Sequence, residues 1–186
     1  MTKQIQSMSE LFDLVQSNPD FKQQFIANPK AALAEVGLTV ADNVEVEVVE
    51  ETGNNVYFVI PPAEAANSLN TEDDPIAQLI SRAAADPALR AEMLADPKTV
   101  IARETGLVIP EEANVTVFEQ TADKAYFVIP RATIQDGDRE LSSEELEAVA
   151  GGGFWDFVKR AVRFSVNNCR QLWEIGKTVI GIFKGF

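Results

Sequence analysis

Tyr57-Phe58-Val59-Ile60-Pro61 and Tyr126-Phe127-Val128-Ile129-Pro130 are the same five residues, repeated 69 positions apart. Aromatic and β-branched residues in a short run are typical of a strand. Before the first run, valines alternate with glutamates from Val44 to Val48, and Thr52-Gly53-Asn54-Asn55 then separates the two segments. This order predicts a β-hairpin with one buried face in each copy.

Helix signals precede both hairpins in the same order. Asn18-Pro19 and Asn28-Pro29 correspond to Asp86-Pro87 and Asp96-Pro97, and each pair places a capping side chain before a proline at the first helical position. In the first copy they predict helices over 19–27 and 29–36, and Gly37 ends the second of these.

The repeated order indicates an internal duplication. A capping box at Ser7 begins another helix, and Asp74-Pro75 is its counterpart. We therefore expect an α+β fold of two tandem repeats, each of short helices plus a β-hairpin. The boundaries are 1–63 for repeat 1, 64–73 for a linker and 74–132 for repeat 2. Residues 133–152 form a second linker with a short helix, and residues 153–186 form the last segment.

The short helix begins at Ser142, which forms a capping box with Glu145, while Leu141 and Leu146 have the spacing of a hydrophobic staple. Three glycines, Gly151, Gly152 and Gly153, follow it and end the helix. An ordinary capped helix before a glycine linker would show the same pattern.

Residues 153–186 carry six lysines and arginines against two acids, a net charge of +4. The total of −13 leaves −17 for the first 152 residues. The spacing of apolar and charged residues in this segment predicts an amphipathic helix with a break near Gly176 and a cationic face. A helix of this kind is typical of a peptide in a membrane interface. The residues assigned to the membrane-facing side are Phe154, Trp155, Phe157, Val158, Leu172, Trp173, Ile175, Val179 and Phe183.

An alternative is that this helix docks its apolar face on the preceding domains. Both arrangements could occur one after the other, with the helix docked before a cut and free afterwards. Nucleic acid is a weaker partner, because the aromatic side chains lie opposite the cations rather than among them.

Composition excludes several kinds of site. The chain has no histidine and one cysteine, Cys169, so a histidine-based triad, a His/Cys zinc cluster and an intramolecular disulfide are excluded. No apolar run is long enough for a conventional membrane span. The glutamates Glu45, Glu47, Glu50 and Glu51 fit a solvated strand face better than a hydrolytic pair.

The Asx-Pro helices, the Gly-Leu that follows them and Tyr-Phe-Val-Ile-Pro resemble the nitrile hydratase-like leader domain of modified bacterial peptide precursors, the proteusin group. The resemblance covers residues from about 8 to 152, and the usual member has one such domain rather than two. For the enzyme itself it implies a metal site of clustered cysteines. With Cys169 alone, outside the resembling region, we expect no metal, no cofactor and no catalytic residue here.

The end of the short helix resembles the double-glycine terminus of bacterial leader peptides, on the residues Leu141, Ser142, Glu145, Leu146, Val149, Gly151 and Gly152. The resemblance implies that a papain-like cysteine peptidase, usually fused to an ABC exporter, cuts between Gly152 and Gly153. The protease would recognise Leu141, Glu145, Leu146 and Val149. The precursor would be cytoplasmic and the peptide exported.

Modification of the core peptide, residues 153–186, by a maturase of unknown type is also implied. Ser165 and Cys169 share a helical face and could form a thioether ring, and Thr178 is a further hydroxyl. The lysines Lys159, Lys177 and Lys184 could accept an acyl group, and epimerisation is another option. A small buried serine and cysteine would explain the pair equally well.

The sequence therefore predicts a peptide precursor that is a substrate and not an enzyme. Its acidic leader would recruit maturation enzymes and partly neutralise a cationic, membrane-active peptide, which the cut releases to bind membrane lipids. The alternative is an uncut interaction protein whose C-terminal helix anchors it to a membrane or partner.

Overall fold

The structure, a computed structural model, describes residues 5–52, 54–69, 71, 74–130, 164, 168–169 and 171–175, with the backbone alone at positions 68, 183 and 184. The description below refers to these residues. Among them, no helix is both long enough and apolar enough to span a membrane.

Three helices form the first copy: α1 (Met8–Ser17), α2 (Pro19–Ala27) and α3 (Pro29–Glu35). The predicted caps are present, since Ser7 Oγ accepts the Glu10 N–H at 3.2 Å and the Asn18 and Asn28 side chains cap α2 and α3. The capping box differs in one bond: the Glu10 carboxylate accepts from the Gln6 N–H, at 2.7 Å. Gly37 has a φ of 81°, a conformation that favours glycine and stops the helix.

The second copy repeats this arrangement. A 3₁₀ helix (Ala63–Ser68) lies between the copies, followed by α4 (Pro75–Ala85), α5 (Pro87–Ala95) and α6 (Pro97–Thr105). The aspartates Asp74, Asp86 and Asp96 accept backbone N–H groups at the three helix starts. Each cap leaves the proline in the position where its missing N–H costs nothing.

Six strands complete the described fold: β1 (Leu38–Thr39), β2 (Glu45–Glu50), β3 (Asn55–Ile60), β4 (Asn114–Glu119), β5 (Lys124–Ile129) and β6 (Phe183–Lys184). The α+β class is thus confirmed, but the predicted hairpins are wrong. β2 pairs with β5 and β3 pairs with β4, both in parallel. Each pair joins a strand of one copy to a strand of the other.

The turns expected inside each copy do form, yet the strands separate beyond them. The Asn55 N–H donates to the Thr52 carbonyl at 2.9 Å, and Thr121 and Lys124 form one antiparallel bridge.

Burial explains why the strands exchange partners. A hairpin with a solvated face would expose alternate residues, whereas Val59 and Val128 are only 1% and 3% exposed. A continuous apolar run suits a strand covered on both faces, as in parallel sheets.

Equivalent ion pairs attach each helical layer to its strands. Lys22 of α2 lies 2.7 Å from the Glu50 carboxylate at the end of β2, and Arg90 of α5 lies 2.7 Å from Glu119 at the end of β4. The buried apolar residues of both copies belong to one hydrophobic cluster. The two copies therefore share a core.

The C-terminal segment is helical at residues 164, 168–169 and 171–175. Its end differs from the prediction of a helix running to the end of the chain, because β6 pairs antiparallel with β1, with Thr39 opposite Phe183. A short edge strand offers unpaired N–H and C=O groups to such a partner, and glycines at 176, 181 and 185 interrupt the helical pattern.

Candidate functional site

Three phenylalanines from different elements surround one tryptophan of the C-terminal segment. The ring of Trp173 lies 5.4 Å from Phe12 of α1, 5.9 Å from Phe25 of α2 and 4.9 Å from Phe127 of β5, centroid to centroid. All three contacts are edge-to-face, the arrangement that aromatic quadrupoles favour. We call the surface formed by Phe12, Phe25, Phe58 and Phe127 the aromatic cleft.

The cleft continues to the start of the described segment. The Phe164 ring contacts Phe58 of β3 edge-to-face, with the centroids 5.3 Å apart. Leu172 and Ile175 are buried in the same hydrophobic cluster. The side chains that the sequence assigned to a membrane surface, where they are described, thus pack against the two copies.

Polar contacts fix the position of the segment. The Glu174 carboxylate accepts the Met8 N–H at 3.1 Å, at the positive end of α1, where a negative charge is favoured. Asn168 is buried, and its Nδ2 donates to the Phe164 carbonyl at 3.1 Å. Among the described residues, no hydrogen-bond acceptor reaches the buried Trp173 indole N–H.

Cys169 is 1% exposed. Burial is the main cause that raises the pKa of its thiol well above the ordinary value, and the charge of Glu51 adds to it. A thiol in this environment keeps its proton and is a poor nucleophile. While the segment is docked, Cys169 is therefore unsuited to forming a thioether.

Glu51 corrects the expectation of a solvated strand face. Its side chain is buried, whereas Glu45 and Glu47 both pair with Lys124, at 3.2 and 3.3 Å. Hydrogen bonding to Tyr126, and then to these two glutamates, raises the pKa of Lys124. Three of the four predicted surface carboxylates are thus held in ion pairs, and the fourth lies inside.

Gln120 occupies the equivalent position of the second copy. The Glu51 N–H donates to the Ile129 carbonyl, and the Gln120 N–H donates to the Ile60 carbonyl, both at 3.0 Å. Gln120 is 2% exposed, and among the described residues neither its Nε2 nor its Oε1 has a hydrogen-bond partner.

The structure brings four of the predicted site residues together in one buried region: Cys169, Leu172, Trp173 and Ile175. Phe183 and Lys184 lie in β6. The other predicted site residues fall outside the described part of the chain; these are Leu141, Glu145, Leu146, Val149, Gly151, Gly152, Gly153, Phe154, Trp155, Phe157, Val158, Lys159, Ser165, Lys177, Thr178 and Val179.

Sequence reasoning missed the aromatic cleft itself. Its four phenylalanines lie in helices and strands whose periodic patterns mark them as ordinary core residues. A useful signal was that the apolar side chains of the C-terminal segment and of α1 both needed a partner.

The residues present do not fit a thiolate metal site. Such a site needs several deprotonated cysteines, and the one cysteine of the chain is a buried thiol with a raised pKa. Among the described residues, no three His, Cys, Asp or Glu side chains are grouped to hold a metal ion. We derive no reaction step through a metal.

Comparison with known proteins gives consistent similarities. A family model described as nitrile hydratase, alpha chain, matches residues 16–85. Nitrile hydratase subunit alpha of a Rhodococcus species is 21% identical over 130 residues, which are 70% of this chain and 62% of the relative. Because 130 residues exceed either copy alone, the similarity extends over both.

Solved structures of a nitrile hydratase are also similar to this chain. Two double mutants of the Fe-type nitrile hydratase from Comamonas testosteroni Ni1 are 21% and 22% identical, with TM-scores of 0.48 and 0.47. The matches cover 72% and 67% of this chain, and 62% and 58% of those chains. This chain thus spans about three fifths of the length of the relatives, and it contains a domain similar to the nitrile hydratase alpha chain.

Proposed function

We propose that this protein is the precursor of an exported peptide, in which an acidic nitrile hydratase alpha-like domain serves as a folded leader. An exporter with a peptidase domain cuts between Gly152 and Gly153, and residues 153–186 become a cationic, amphipathic, membrane-active peptide. A peptide-modifying enzyme acts on the precursor before export. The chain is a substrate in each of these steps.

The observation that supports this proposal best is the burial of Trp173 in the aromatic cleft. A membrane-active peptide must expose its apolar side chains, and in the precursor the described ones lie within the leader core. A folded leader therefore keeps such a peptide inactive in the producing cell. The charge difference between leader and segment acts in the same direction.

The test is cleavage of the purified full chain by the peptidase domain of a double-glycine exporter, followed by intact mass spectrometry. We expect two products, with the smaller one spanning residues 153–186. Gly152→Val should block the cut, because a branched side chain does not fit a cleft shaped for glycine. Gly137→Val, a matched change outside the motif, should be cut like the original chain.

Cleavage elsewhere, or no cleavage of the unaltered chain, would contradict the proposal. An intact chain found on membranes of the producing cells would instead favour the uncut anchor. If the exported peptide is found, its mass shows the modification: loss of water for dehydration, gain of an acyl chain, or no change for epimerisation.

A further inference from the structure

We infer that cleavage alone does not free the peptide: the leader holds the cut segment in the aromatic cleft as a non-covalent inhibitor, and an anionic membrane draws it out. The inference rests on the proposed function, since it supposes a cut after Gly152. It separates two events, cutting and release, that the proposed function treats as one.

The contacts of the described segment come later in the chain than the cut. They begin at Phe164, which packs on Phe58, and continue to Trp173, which packs on three phenylalanines. The bond between residues 152 and 153 takes part in none of them. Breaking that bond removes a tether, and with it the high effective concentration of the segment, but leaves these contacts in place.

The segment is attached at more than one place. Glu174 accepts the Met8 N–H on the α1 side, and β6 adds backbone pairing to β1 further along the chain. Attachments that act together slow dissociation, because all of them must open before the segment leaves. A cut complex held in this way should persist on the time scale of a purification.

A membrane can compete for the segment because it uses the same side chains. Leu172, Trp173 and Ile175 cannot be buried in the leader and in a bilayer at once. Within the described part of the chain, the cleft offers the Trp173 indole N–H no acceptor, whereas tryptophan in a membrane interface keeps its polar end among hydrogen-bonding groups. The cationic side chains of the segment favour anionic lipid.

The experiment uses the full chain with a recognition sequence for a site-specific protease inserted between Gly137 and Asp138. A Trp155→Phe change leaves Trp173 as the only tryptophan, since the chain has two. After the cut, we expect native mass spectrometry and size-exclusion chromatography to show the two fragments as one non-covalent complex. The fluorescence of Trp173 should stay at the wavelength of the uncut chain.

Vesicles of phosphatidylglycerol are then added to the cut complex. We expect the C-terminal piece to move to the vesicle fraction and the leader to stay in solution, while uncharged phosphatidylcholine vesicles draw out much less. Immediate separation of the pieces after cutting, without vesicles, would overturn the inference. A complex that stays whole at every amount of anionic vesicle would overturn the release step.

Two variants check that the cleft is responsible. Trp173→Ala should raise the dissociation constant of the cut complex by about a hundredfold or more, as large-to-small changes in a core do. If that variant does not fold, Glu174→Ala removes the acceptor of the Met8 N–H at an exposed position and should raise it about three- to tenfold. Glu112→Ala, an exposed glutamate outside the cleft, is the control and should leave it unchanged.

This experiment is independent of the natural cut. Because an unrelated protease nicks the chain, retention can be observed even if no exporter peptidase recognises Gly151-Gly152, in which case only the proposed function fails. Conversely, a natural cut that frees the peptide at once would leave the proposed function standing and remove this inference.

Discussion

Docking of the C-terminal segment changes the reactivity of one residue, the thiol of Cys169. Its thiol lies in the core beside buried Glu51, and both surroundings raise its pKa. A reaction that needs the thiolate would therefore require the segment to leave the cleft first. The same shift makes the stability of the fold depend on pH.

Raising the pH above about 8.5, the ordinary thiol pKa, should destabilise the protein. Below that pH the thiol keeps its proton in both states, and the stabilisation is fully present. Above it the unfolded chain loses the proton and the folded chain does not. The free energy of unfolding then falls, by up to about 1.4 kcal/mol per pH unit. Denaturant unfolding from pH 7.5 to 9.5 measures this.

Cys169→Ala provides the control for that pH series. The variant lacks the titrating group, so its stability should fall less steeply over the same range. Identical slopes for the two proteins would show that the thiol ionises alike in both states.

Replacing Gln120 by an apolar residue should stabilise the fold. Its buried side chain has no hydrogen-bond partner in the part of the chain that the structure describes, and an unsatisfied buried polar group costs about 1–3 kcal/mol. Gln120→Met keeps the length and removes the polar atoms, so the free energy of unfolding should rise by about 1 kcal/mol or more. Thermal denaturation measures the gain, with Gln16→Met, a change at an exposed helix position, as the control.

At the scale of elements, the exchange of strands between copies is the main departure from the sequence prediction. It can be tested by cross-linking in a Cys169→Ala background. Tyr57→Cys with Thr116→Cys places two thiols on paired positions of β3 and β4. Neighbouring strands lie about 4.8 Å apart, which suits a disulfide, so we expect rapid oxidation.

The comparison pair is Tyr57→Cys with Glu50→Cys. A hairpin closed by the turn at Thr52 would place these two positions opposite each other, whereas the observed pairing does not. Faster cross-linking of this pair than of Tyr57→Cys with Thr116→Cys would contradict the parallel arrangement.

Helices and strands differed in how far the sequence predicted them. Each helix start is encoded locally, as at Asn18 and Asp86, where the capping residue and the proline adjoin, and these predictions were confirmed to within a residue. Strand pairing depends on partners far along the chain. The run from Phe58 to Ile60 was predicted as a strand with one buried face, whereas the structure buries both faces. Nothing nearby in the sequence identifies the strand that pairs with it.

At the scale of the whole molecule, the C-terminal segment completes the core. A chain ending at residue 163 should expose the aromatic cleft, lose the burial of Phe164, Leu172, Trp173 and Ile175, each worth roughly 1.5–3 kcal/mol, and melt at a lower temperature. It should also bind a hydrophobic dye. Melting temperature and dye fluorescence measure both effects.

A chain ending at Ile175 is the matched control. It keeps the segment in the cleft and lacks only β6 and the residues around it, so its dye binding should stay close to that of the full chain. Equal dye binding by the two shortened chains would show that the cleft closes without the segment.

The candidate site was predictable only in part for a related reason. An amphipathic pattern shows that Leu172, Trp173 and Ile175 need an apolar surface, but it does not distinguish a bilayer from a protein core. The alternative, in which the helix docks its apolar face on the preceding domains, describes the arrangement found. Whether the segment binds a bilayer or packs in the protein depends on the shape of the aromatic cleft. That cleft is assembled from α1, α2, β3 and β5, so no local stretch of sequence specifies its shape.

The exchanged strand pairs also affect how the protein forms during synthesis. Paired residues of β3 and β4, and of β2 and β5, lie about 60 and about 80 positions apart in the chain, and such distant contacts slow folding. The first copy emerges from the ribosome without its partner strands and must wait for the second. A growing chain therefore cannot complete either strand pair until β4 and β5 of the second copy have been translated.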